Sequence, residues 1–187
     1  TFGTSDDNFN NHPIITEPMV GIHNGTLRNS DQLFTRFQKD FDQEGSVDSE
    51  VIFRLYQHYV DQGSSPKEAM QNVAERLDGA FTGALVDMRS PFRKVMFNND
   101  RSLALIGIPH FEMVITVSEG RFLDAAMRRL NFKSKRNTQY VKNGTGIIMN
   151  VNSQGKLVDN VVDFDIEPLD AVKFGTRHNA WSGNASG

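Results

Sequence analysis

The sequence contains no cysteine. That rules out disulfides, thiolate metal ligands and a cysteine nucleophile supplied by these residues. Tryptophan occurs once and tyrosine three times, against 14 phenylalanines, so the aromatic part of the core rests on phenylalanine. No apolar run approaches the ~20 residues of a membrane span, and no signal-peptide pattern opens the chain. Neither charge dominates: the net charge is −3 with both signs dispersed, so there is no basic footprint for nucleic acid. Neither a nucleic-acid nor a membrane partner is expected. The five histidines, at 12, 23, 58, 110 and 178, are scattered, and no two stand at metal-ligand spacing. No glycine-rich phosphate loop is present. Asp163-Phe164-Asp165 looks like part of a calcium loop but lacks the glycine and closing glutamate such a loop needs.

What is present suits one globular domain: 187 residues, 38% hydrophobic and 23% charged, long enough for a core of its own. Thr1-Phe2-Gly3 begins the chain without an initiator Met, which suggests processing, trimming or a fragment. The most distinctive stretch is Met19-Val20-Gly21-Ile22-His23-Asn24-Gly25-Thr26-Leu27, read as a short strand at 19–23 running into a glycine-bearing turn. A strand end carrying an amide and a glycine can aim two donors at one point, the construction of an oxyanion hole. Asn-Gly is equally a common hairpin turn, and the tripeptide alone leaves both readings open.

The remaining pattern places helices first and hairpins second. Residues 1–13 read as a polar loop and 14–17 as extended. Asn29–Phe41 reads as a helix with a capping box from Asn29 and Gln32. A second helix follows Ser46-Val47-Asp48-Ser49-Glu50, with Asp48 or Ser49 as N-cap; its apolar stripe is Val51, Ile52, Leu55, Tyr56, Tyr59 and Val60. Ser65-Pro66-Lys67-Glu68 opens a third with cap, proline and glutamate all in place. Then come strands at 80–88, 94–98, 103–106 and 113–117, a short helix at 121–130, and a hairpin pairing 146–151 with 156–162. Domain limits of 1–174, with a frayed tail at 175–187, follow from composition. Helices followed by hairpins argue for antiparallel sheets covered by helices, an α+β class, and against a doubly wound parallel sheet.

The order Asn11-His12-Pro13, then a strand ending in His23-Asn24-Gly25, then Asp48-Ser49-Glu50-Val51, then Leu77-Asp78-Gly79-Ala80-Phe81, with Val117-Ser118-Glu119 beyond, resembles the glutaminase domain of the class II glutamine amidotransferases. These are N-terminal-nucleophile hydrolases. The resemblance runs from about Thr1 to about Leu130. It implies a four-layer αββα sandwich whose first strand is missing here, glutamine as substrate, no cofactor, a cytoplasmic setting, and a synthase domain or partner chain that receives ammonia. It also implies that the Asn24 side chain and the Gly25 backbone N–H form the oxyanion hole, that Asp48 binds the α-amino group of glutamine, and that Thr1 is a glutamine contact. The family's arginine would lie before Thr1. Its nucleophile, an N-terminal cysteine whose own amine serves as base, has no counterpart in these residues. Two explanations compete: a partial sequence, or a non-catalytic binding or scaffolding module of the same fold. Thr1 is not read as a substitute nucleophile, because it matches the substrate loop.

Overall fold

The computed structural model describes residues 10–133, 136–154 and 161–169. Thr1 and the tail 175–187, both singled out above, lie outside them. A six-stranded sheet takes the order β1-β2-β3-β4-β8-β9 and a three-stranded sheet the order β6-β5-β7; among the described residues the strand pairs are antiparallel. The strands are β1 Ile14–Thr16, β2 Met19–Leu27, β3 Gly79–Asp87, β4 Arg93–Asn99, β5 Ala104–Ile108, β6 Met113–Val117, β7 Asn137–Tyr140, β8 Thr145–Asn150 and β9 Val162–Asp165. The helices are α1 Ser30–Arg36, α2 Glu50–Asp61, α3 Pro66–Ala74 and α4 Gly120–Arg129.

Four layers result. Helix α2 crosses β1 and β2, α3 lies on β8, and α1 packs on α2, all on one face of the large sheet. The small sheet covers part of the other face, and α4 lies on β6. Alternation along β2 explains the first interface: Met19, Gly21, His23 and Leu27 are buried, and the intervening side chains are more exposed. Phe53 of α2, fully buried, occupies the notch above Gly21, where a Cβ would stand 2.3 Å from the ring. Met96, Ile147 and Met149 of the large sheet meet Leu103, Leu105 and Val141 in a second, smaller core between the sheets. Among the described residues no helix is long and apolar enough to cross a membrane.

Several local expectations are corrected. Helix α1 stops at Arg36, although Phe37 and Phe41 still stack with ring centroids 5.7 Å apart. Asn29 makes no capping hydrogen bond. Its amide instead donates to the Arg76 carbonyl at 2.8 Å and accepts from the Asp78 N–H at 3.1 Å, so it stitches the end of β2 to the start of β3. Val162, the last residue of the expected strand 156–162, does pair with β8, and the pairing runs on to Asp165; residues 155–160, which hold most of the expected strand, lie outside the described set. This also makes Asp163-Phe164-Asp165 part of a ladder rather than a loop. The capping box of α3 is present as expected, with Ser65 and Glu68 bonded reciprocally.

Candidate functional site

His23-Asn24-Gly25 is not a turn. Strand β2 runs unbroken to Leu27, and β3 matches it residue for residue, with Gly25 opposite Phe81 and Leu27 opposite Gly79. Glycine allows this. Gly25 has φ +153°, and a Cβ there would sit 1.9 Å from the Ala80 carbonyl oxygen, so a side chain would be excluded on both conformational and steric grounds.

Strand β1 pairs with β2 only as far as Gly21. Past that point, among the described residues, one edge of β2 has no neighbouring strand in the sheet order, and side chains take over. The His23 N–H donates to His12 Nε2 at 3.2 Å. The Leu27 N–H donates to Asp48 Oδ2 at 2.7 Å. Backbone N–H groups two residues apart point the same way in a strand. The Gly25 N–H therefore faces the same edge, between a histidine and a carboxylate.

The turn before α2 serves this edge rather than its own helix. Ser49 is the N-cap residue but makes no capping hydrogen bond; its hydroxyl shares a 2.8 Å hydrogen bond with His23 Nδ1. The expectation that Asp48 or Ser49 caps α2 is thus corrected, because both side chains turn away toward β2. The turn is in turn held by Glu50. Its buried carboxylate accepts from the N–H groups of Glu44 and Gly45 at 2.9 and 2.7 Å, and from Arg54 Nε at 3.3 Å. Asn10 Oδ1 accepts from the Ser46 N–H at 2.7 Å, which ties the segment before β1 to the same turn.

Asn24 projects from the face of β2 opposite His23 and is exposed. Its cross-strand neighbour is Thr82, whose neighbour is Asn98. Thr82 Oγ1 donates to Asn98 Oδ1 at 2.6 Å, and Asn98 Nδ2 donates to the Val141 carbonyl at 2.7 Å. Asn24 is thus the open end of a polar row whose inner members are buried and paired. The structure brings Gly25 and Asp48 to one edge and leaves Asn24 beside it, on the other face of the sheet. Both histidines of the edge are held neutral: burial drives His23 down to about 4 against the pull of the Asp48 carboxylate, and burial also lowers His12. From sequence, Ser49 reads as a candidate cap and His12 as part of a polar loop, and neither reading points to these contacts. No sequence signal marks a capping serine whose hydroxyl points elsewhere. Among the described residues no group of acidic or histidine side chains could hold a metal ion.

A family described as "Glutamine amidotransferase domain" matches residues 4–106. The glutamine–fructose-6-phosphate aminotransferase (isomerizing) of Aliivibrio fischeri is 33% identical over 88 residues, 46% of this chain and 14% of that protein. The Bartonella henselae enzyme of the same name is 36% identical over 77 residues, 38% of this chain and 12% of its own length. Among solved structures, the glutamine phosphoribosylpyrophosphate amidotransferase of B. subtilis, complexed with ADP and GMP, superposes with a TM-score of 0.62 at 17% identity, covering 84% of this chain and 32% of that one. An allosteric regulatory enzyme of purine biosynthesis gives 0.57 at 18% identity over 79% of this chain and 28% of its own. The chain therefore spans well under half the length of these relatives.

Proposed function

This chain belongs to the glutamine amidotransferase domain family, and from that premise we propose that it is the glutamine-hydrolysing part of an amidotransferase. In this role the side-chain amide of glutamine is attacked by a cysteine, the tetrahedral oxyanion is stabilised, and ammonia leaves for an acceptor. Asn24 and Gly25 are the oxyanion donors, through the side-chain amide and the backbone N–H, and Asp48 takes the α-amino group of glutamine by a charge-assisted hydrogen bond. Thr1 is a further glutamine contact. The nucleophilic cysteine is required from polypeptide other than these 187 residues. The receiving synthase site belongs to a further domain or a partner chain, and a cytoplasmic setting accompanies this assignment.

One observation carries the proposal. The Gly25 N–H is directed at the open edge of β2, between the groups that hold the His23 and Leu27 amides, with Asn24 adjacent. A donor on a rigid strand needs no reorganisation when charge develops beside it. The test uses the natural full-length polypeptide that contains this sequence. A diazo-ketone analogue of glutamine is expected to form a covalent adduct detectable by mass spectrometry, and Asn24→Ala is expected to lower glutaminase turnover about 10²–10³-fold. Absence of the adduct would support the non-catalytic module instead. An unchanged rate in the variant would remove the role of Asn24.

A further inference from the structure

Among the described residues, the open edge of β2 has no neighbouring strand to fix its position, yet in the proposed role it carries a donor whose placement matters. Three contacts converge there from two other segments. His12, ahead of β1, receives the His23 N–H. Asp48, ahead of α2, receives the Leu27 N–H. The third contact is a side-chain one: the His23 ring, bonded through Nδ1 to Ser49. Both residues of that pair are buried. The other ring nitrogen, Nε2, is buried; the Ala80 backbone faces the ring, and Nε2 lies 2.9 Å from where a Gly25 Cβ would be. The ring is therefore wedged between the turn that presents Asp48 and the underside of Gly25.

We propose that His23 is a positioning residue: its ring, anchored by Ser49, sets the distance between the Gly25 N–H and the Asp48 carboxylate. Its catalytic consequence rests on the glutaminase role proposed above. The 2.8 Å hydrogen bond with Ser49 links the two halves of the site, the oxyanion strand and the amino-group turn, side chain to side chain, beside the bond from the Leu27 N–H to Asp48. His23 touches neither substrate nor nucleophile in this arrangement. A neutral ring is the form the site needs, since Nδ1 can then accept the Ser49 hydroxyl proton.

The test compares His23→Phe, His23→Asn, Ser49→Ala and the double variant His23→Phe with Ser49→Ala in the natural full-length polypeptide. Phenylalanine keeps ring volume but loses the hydrogen bond, whereas asparagine places an acceptor near the position of Nδ1. Because small misplacements cost large factors in rate, His23→Phe and Ser49→Ala are each expected to lower kcat by about tenfold or more, with KM for glutamine changed less than about threefold. The double variant is expected to be no slower than the worse single one, because both remove the same link. His23→Asn is expected to recover most of the rate. Independently of turnover, hydrogen exchange at the His23 and Leu27 amides, which flank Gly25, is expected to quicken about tenfold in His23→Phe and Ser49→Ala and stay near wild type in His23→Asn. Variants that melt earlier yet keep kcat within about twofold and exchange unchanged would overturn the proposal. A wild-type protein with no glutaminase turnover would end the glutaminase role, and the exchange data would still decide whether His23 positions the strand. Should His23→Phe fail to fold, Ser49→Ala alone gives the answer.

Discussion

On one side of the large sheet, Gly21 and Phe53 meet so closely that no side chain could be added between them; on the other side the next residue, Ile22, is 41% exposed. The contrast extends beyond this pair. The helix-covered face buries Met19, Phe81, Leu85, Val95 and Phe97 in one continuous core with α1, α2 and α3. The opposite face is sealed only where the small sheet lies over it, around Met96 and Ile147, and near β1 and β2 it leaves Ile15 as well as Ile22 open. Tight packing beneath β2 fixes the strand that carries Asn24 and Gly25. Openness above it keeps Asn24 reachable. The oxyanion role proposed for Asn24 and Gly25 needs both.

The largest expected effect breaks the packed side. Phe53→Ala removes a fully buried ring from the contact with Gly21 and is expected to cost about 3–5 kcal/mol in unfolding free energy, the range for aromatic truncation in a core. Denaturant melts of the 187-residue chain measure it. A loss below about 1 kcal/mol would mean that the helices can close over the gap and that β2 is held less firmly than its burial indicates.

Phe53 also shows where sequence reasoning ran short. The helical stripe of α2 was readable at Val51, Ile52, Leu55, Tyr56 and Tyr59, which are all buried. Phe53 falls off that stripe and is buried because Gly21, distant in sequence, leaves room for it; a period cannot report a complementary notch on another element. The hairpin β3–β4 and the capping box of α3 were legible because each is set by neighbouring residues. Strand β7 was not, since its Asn137–Tyr140 side chains are all exposed and carry no alternating pattern. The site divides in the same way. Asn24, Gly25 and Asp48 stand out through motif order, whereas the tasks of Ser49 and His12 arise from long-range contacts that local capping and turn rules mislead about.

A second, smaller effect is expected from acid. His23 carries a proton near pH 6.5 in the unfolded chain and only near 4 when folded. Between those values the unfolded state binds more protons, so stability falls as pH drops through the window and the full loss is reached near pH 4. The size is about 3 kcal/mol from the linkage relation. The groups facing the ring are Ser49, Asp48, His12 and the Ala80 backbone, and lowering of His12 by burial acts in the same direction. Urea melts at pH 7 and pH 4.5 are expected to differ markedly in wild type and much less in His23→Phe. Equal pH dependence in the two proteins would show that the ring is not held neutral by burial.

The smallest expected effect tests the open side. Ile22→Thr keeps a β-branched residue that suits a strand and removes apolar surface that is already largely in contact with solvent. In the 187-residue chain the change is expected to fall within about 0.5 kcal/mol, the usual range for surface positions. The same substitution in a longer natural polypeptide sharpens the comparison. If its cost there rises above about 1 kcal/mol, further chain covers the inner face of β2, and access to Asn24 is then confined to the strand edge where the Gly25 N–H emerges. If the cost stays small, the inner face is itself open, and the proposed role then has glutamine reach Asn24 from the side opposite to His23. The two outcomes assign different approaches to the proposed pair of donors, so this modest substitution decides more about the geometry of the proposed site than its stability cost suggests.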